Sequence, residues 1–208
     1  MFLIRTIIGI VIFVKINIST IMINSKVADK NSTKVTDKSY LQFGLLFGII
    51  MILSFVIIYT MNINIFEDRI IGTTSSILNY LIFPFLFIYL GCQSFKRNNN
   101  GYIAFVECLK VGVSIVFVGT LMFAIFNVFF YYAFPEYTEE ILAQTKQMML
   151  KQNPNMRTAD LEMAIGMSKK FSKPAFSVPI TLAIFTFLGF LHSLFVGLIV
   201  KKDNPAGI

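Results

Sequence analysis

Residues 174–200 read PAFSVPITLAIFTFLGFLHSLFVGLIV, 27 positions between Lys173 and Lys201 without one Asp, Glu, Lys or Arg. About 20 residues at 1.5 Å each cross the ~30 Å hydrocarbon core of a bilayer, so this stretch is long enough to span it with tilt. Three other stretches have the same character: 28 residues between Lys38 and Glu67, 26 between Arg69 and Lys96, and 25 between Lys110 and Glu136. Together the four hold 106 of the 208 residues, and the other 102 carry all 29 charged side chains. The polar half therefore has an ordinary water-facing charge density, while the apolar half has none. That partition excludes a soluble globular domain, a disordered chain and a nucleic-acid-binding domain.

The runs are too long and too continuous for barrel strands, which alternate over about 10 residues. A helix also satisfies its own backbone hydrogen bonds, which lipid cannot do. The sequence thus predicts an all-α integral membrane four-helix bundle. Its spans fall near Tyr40–Met61, Ser75–Phe95, Val111–Phe134 and Phe176–Val200, within a membrane domain covering 40–205. The eight tyrosines lie near span ends or just beyond, where a ring with a polar tip meets the headgroups. Phenylalanines such as Phe47, Phe123 and Phe187 are scattered through the spans.

Residues Met1–Ile23 are apolar but interrupted by Arg5 and Lys15. Three readings stay open: a signal peptide without a small-residue cleavage site, a weak span or interfacial helix, or a translation start at Met22. Residues 24–39 are a lysine-rich segment expected in the cytoplasm. Lys26, Lys30, Lys34, Lys38, Lys96, Arg97, Lys201 and Lys202 gather on three short polar stretches. By the positive-inside rule, both ends of the four-span core are expected to be cytoplasmic, in the inner membrane of a bacterium. The net charge of +7 then reflects cations held at a face of anionic lipid.

The segment 135–175 is the one soluble-looking piece and is expected on the extracytoplasmic side. Thr138 with Glu139 and Glu140 reads as a helix start, and Asn153-Pro154 as its end. Thr158 with Asp160 reads as a second start, and Lys169, Lys170 and Lys173 suit its C-terminal end. Ile141, Leu142, Met148 and Met149, then Leu161, Ala164, Ile165 and Ser168, recur at helical spacing. The insert is therefore predicted to be a helical hairpin with apolar stripes. Those stripes either cap the bundle or dock a membrane or extracytoplasmic protein partner.

No H-E-x-x-H, G-x-S-x-G, phosphate-binding or dinucleotide-binding motif is present. One histidine and two cysteines, Cys92 and Cys108, supply no metal-ligand spacing. The cysteines are expected to be reduced, inert, and close in space across the Lys96–Gly101 turn. No catalytic residue, cofactor or metal is assigned, and no nucleic-acid partner is expected. The intramembrane candidates are polar or small. Gly189, Ser193 and Gly197 form a small-xxx-small stripe, as do Gly44 and Gly48. His192 and Asn127 read as interhelical hydrogen-bonding groups. Glu107 and Lys110, three apart at a span entrance, read as an ion pair. Pro84 is expected to kink span two.

The wording Gly101-Tyr102-Ile103-Ala104-Phe105, then Glu107-Cys108-Leu109-Lys110-Val111-Gly112, precedes a long third span. A polar insert follows and ends at Lys173-Pro174, and the last span ends in Lys201-Lys202-Asp203-Asn204-Pro205. This resembles the bacterial four-span membrane family called domain of unknown function 4199, over roughly Lys38–Pro205. The resemblance implies four helices in an inner membrane with the insert between the third and fourth, and carries no activity, cofactor or catalytic residue. The residues and the resemblance point to a non-enzymatic accessory or interaction subunit, in contact with the lipid bilayer and able to form a homo-oligomer. The alternative is a small oligomeric transporter or channel, and a membrane enzyme ranks third.

Overall fold

Each long uncharged run forms a helix in the computed structural model, which describes residues 39–61, 63–64 and 68–204. The expectations for Met1–Ile23 and for the lysine-rich residues 24–38 lie outside the described residues. The elements are α1 (Ser39–Thr60), α2 (Arg69–Ile77), a π-helical turn (Leu78–Ile82), α3 (Phe83–Asn98), α4 (Phe105–Ala133), α5 (Pro135–Gln152), α6 (Thr158–Ser172) and α7 (Pro174–Val200). Four helical stretches are long and apolar enough to cross a membrane: Tyr40–Thr60, Ile70–Asn98, Phe105–Ala133 and Pro174–Val200. The second and third begin several residues before the predicted starts, because Arg69 and Glu107 join their helices. The result is an all-α bundle of membrane type.

Helix α4 is the centre of the bundle, packed between α1 and α7, with α3 closing against all three. Only about a third of each span is buried against the protein. Ile125, Phe129, Phe187, Phe195, Leu198 and Ile199 point outward. Lipid tails are as apolar as these side chains, so the hydrophobic effect does not hold spans together; close packing does. Small residues supply it. A methyl group built on Gly48 would sit 2.9 Å from the Gly119 carbonyl oxygen, and one on Gly119 would sit 2.8 Å from that of Gly44. On the other side of α4, a methyl on Gly189 would meet Val116 at 2.8 Å, and one on Gly112 would collide with Ser193.

Span two is built in two unlike halves. Pro84 has no N–H, and its ring crowds the carbonyl four residues back. The hydrogen-bond ladder widens just before it, so that the Phe83 N–H donates to the Leu78 carbonyl, five residues back. The expected kink thus takes the form of a π-helical turn. Beyond this turn, Phe83, Pro84, Phe87, Ile88, Gly91 and Cys92 are buried among the other spans. Before it, no described residue from Ile70 to Ile82 is buried, and this half stands off from the bundle.

The end of the bundle near Asn98 and Val200 is tied shut. Ile103 and Lys202 exchange two backbone hydrogen bonds, at 3.0 and 2.9 Å, as an antiparallel bridge. The turn that permits this runs through Asn100 (φ 54°) and Gly101 (φ 84°), both in the left-handed region. The Lys96 ammonium donates to the Val200 carbonyl at 2.8 Å, satisfying one of the last acceptors of α7. The Lys202 ammonium lies 5.5 Å from the centre of the Tyr102 ring.

Candidate functional site

The polar residues singled out from the sequence do not meet at one place. His192 is 7 % exposed, and its Nδ1 lies 2.7 Å from the carbonyl of Leu188 in its own helix. Asn127 Nδ2 donates to the Phe123 carbonyl at 2.9 Å, again four residues back. Neither bond crosses between helices as expected. In an apolar medium the nearest acceptor is the helix's own i−4 carbonyl, and a short side chain reaches it without waiting for a partner. Ser193 does the same with the Gly189 carbonyl at 2.6 Å. Its face of α7, with Gly189 and Gly197, lies against Val116, Gly112, Phe105 and Cys108 of α4.

Glu107 and Lys110 also differ from expectation. Glu107 Oε2 accepts the Ala104 backbone N–H at 2.7 Å, closing the first turn of α4, while Lys110 is exposed. An ion pair of the same i, i+3 spacing forms instead on the insert, between Arg157 and Asp160 at 2.9 Å. Cys92 and Cys108 are both buried and adjacent, the Cys92 thiol lying 3.7 Å from the Cys108 carbonyl oxygen. Among the described residues no group of three or more histidine, cysteine, aspartate or glutamate side chains could hold a metal ion.

The insert is held at its base by aromatic packing. Phe55 and Tyr59 of α1 meet Phe130 of α4 and Tyr137 of α5 with ring centres 4.9–5.6 Å apart, at near-perpendicular angles. Edge-to-face contacts of this kind add about 0.5–1.5 kcal/mol each beyond area burial. Burial, then the nearby Glu140 carboxylate, then Tyr59 push the Tyr137 hydroxyl above the ordinary tyrosine range. Helix α5 starts at Pro135, so Thr138 lies within it; α6 starts at Thr158, with Arg157 as its N-cap. Leu161 is buried, and Ala164, Ile165 and Ser168 are half-buried on the same face of α6. Beside that stripe lie Met163, Met167 and Phe171, which are 66, 53 and 47 % exposed. The C-terminal end of α6 is pinned to the last span: Phe171 packs edge-on against Phe176, and the Lys170 ammonium lies 5.3 Å from that ring's centre.

One cavity was not anticipated from the sequence. Where α2 stands off, a space of about 290 Å³ opens in the half of the bundle nearest the insert. Phe55 of α1, Phe123 of α4, Phe185 and Thr181 of α7, and Ser75, Asn79 and Tyr80 of the diverging half-span line it. The Tyr80 and Phe185 rings are stacked, 5.2 Å apart. Asn79 Nδ2 donates to the Ser75 carbonyl at 3.0 Å, which fixes the amide and leaves Oδ1 buried with no partner among the described residues. A buried polar atom without a partner costs about 1–3 kcal/mol. Tyr80 and Thr181 add two hydroxyls to the lining. Signals for this place were present in the chain: Gly72-Thr73-Thr74-Ser75-Ser76 and Asn79 are polar for a span, and Pro84 follows five residues later.

Two of the pieces of sequence that carried the family resemblance are neighbours in space, since Ile103 of the Gly101-Tyr102-Ile103 stretch pairs with Lys202 at the closed end. No curated protein and no solved structure gives a significant match. The family described as "Protein of unknown function (DUF4199)" matches residues 42–202, which takes in all four spans and the insert. The chain belongs to the DUF4199 family.

Proposed function

We propose that the protein is a non-enzymatic, multi-pass accessory subunit of the bacterial inner membrane, acting by contact with another protein through its insert. Both ends of the four-span core are then cytoplasmic and the insert is outside, in keeping with Lys96, Arg97, Lys201 and Lys202 at the opposite end of the spans. The observation that carries the reading is the second face of α6. Its inner stripe serves the protein's own packing, while Met163 and Met167, at i and i+4, stay exposed among the described residues. Methionine-rich stripes accommodate partners because the side chain is flexible and polarizable. The transporter reading has less support. It needs the intramembrane polar groups on one wet path, whereas His192 and Asn127 are bonded to their own helices and Glu107 closes a helix start.

A photoreactive residue placed at 163 or at 167 in native membranes tests this. The expected result is one protein captured from both positions, and its loss on Met163→Ser with Met167→Ser at unchanged detergent stability. Capture of lipid alone from both positions sinks the reading.

A further inference from the structure

We propose that the cavity between the diverging half of span two and the other spans is a binding site for the head of an uncharged, membrane-soluble quinone. Three observations carry it. The lining has no charged side chain, so neither an ionic headgroup nor a metal finds a counter-charge there. Four aromatic rings, Phe55, Tyr80, Phe123 and Phe185, surround the space, and flat rings are their best-fitting occupant. The polar groups are those a quinone can use. The Tyr80 and Thr181 hydroxyls in the lining can donate to two ring carbonyl oxygens, while Asn79 Oδ1, buried without a partner among the described residues, is an acceptor that a quinol hydroxyl would satisfy.

Size and access agree. About 290 Å³ lies at the low end of small-molecule pockets, enough for one substituted ring and the start of its tail. Ile77 and Leu81, on the same half-span, are exposed, so a ligand dissolved in the bilayer reaches the site from the side. The π-helical turn is the hinge of this arrangement: it releases the polar half-span from the bundle while Phe83–Asn98 stays packed. Turns of this type occur often at functional sites.

The test uses the purified full chain in detergent micelles and a short-tailed naphthoquinone, with binding followed by equilibrium dialysis against protein-free micelles. Saturable binding of one molecule per chain is expected. Tyr80→Phe with Thr181→Val, which removes both donors and almost no volume, should raise Kd about tenfold or more. Thr181→Val alone should raise it severalfold, and this single variant decides the matter if the double variant does not fold. A diacylglycerol, whose ester carbonyls offer similar acceptors without a ring, should not displace the quinone. Non-saturable uptake, an unchanged Kd in both variants, or equal displacement by the diacylglycerol each overturns the proposal.

Discussion

Placing one methyl group on Gly119 separates close packing from every other account of what holds the spans together. Gly119 sits at the α1–α4 seam. Its added Cβ would lie 2.8 Å from the Gly44 carbonyl oxygen and 3.1 Å from the Gly48 nitrogen, and would collide with the Phe47 ring. Two of the three neighbours are backbone atoms of the facing helix, which cannot turn aside as a side chain can. To bring 2.8 Å out to an ordinary 3.4 Å contact, α1 must retreat by the difference, about 0.6 Å. A gap of ~0.5–1 Å forfeits a quarter to a half of each atom pair's dispersion energy, itself about 0.1–0.2 kcal/mol. Over the tens of pairs along a seam this amounts to about 1–3 kcal/mol, the usual cost of overpacking. Replacing a helical glycine by alanine returns about 1 kcal/mol of helix propensity. The net expectation for Gly119→Ala is a loss of up to about 2 kcal/mol. Gly166 is the control: it too lies within a helix, α6, but a methyl there meets nothing within 4 Å, so Gly166→Ala should gain about 1 kcal/mol. Reversible unfolding of the two variants in mixed micelles, read by circular dichroism, gives both values. If Gly119→Ala is as stable as the parent, or if both alanines shift stability in the same direction, the seam does not hold the bundle as described.

Two further outcomes are expected. The Tyr137 hydroxyl titrates above the ordinary tyrosine value, so the folded state holds that proton more tightly than the unfolded state does. Its contribution to stability is whole below pH about 10 and is lost as pH rises through the higher folded value. Alkaline unfolding should therefore be shallower in Tyr137→Phe, and the phenolate absorbance step that this variant loses should lie above pH about 10. Orientation is read by cysteine labelling in a Cys92→Ala, Cys108→Ala background: Asn155→Cys should react with an impermeant thiol reagent in cells whose outer membrane is permeabilised, and Lys201→Cys should not. The reverse pattern inverts the proposed topology.

Charge spacing alone located the four spans, because burying a charge in hydrocarbon is costly enough to keep Lys, Arg, Asp and Glu out of 25 or more consecutive positions. Small residues repeating every four positions marked the seams, since such a stripe lets two helix backbones approach closely. Pro84 announced a break, and Asn153-Pro154 split the insert into two helices, for the local reason that proline blocks the helical conformation before it. What spacing could not say is which acceptor each polar side chain would choose. His192 and Asn127 look like bridges in one dimension, yet each bonds its own helix, because the i−4 carbonyl is always within reach and a partner helix need not be. Nor could spacing show that Glu107 turns back to Ala104 instead of forward to Lys110. Above all, the cavity is a property of four helices at once. Its walls come from residues as far apart as Phe55 and Phe185, and it exists because the ladder widens before Pro84 and lets half a span lean away. A periodic pattern records which face of a helix is apolar; the distance between helices is set only when all of them are packed together.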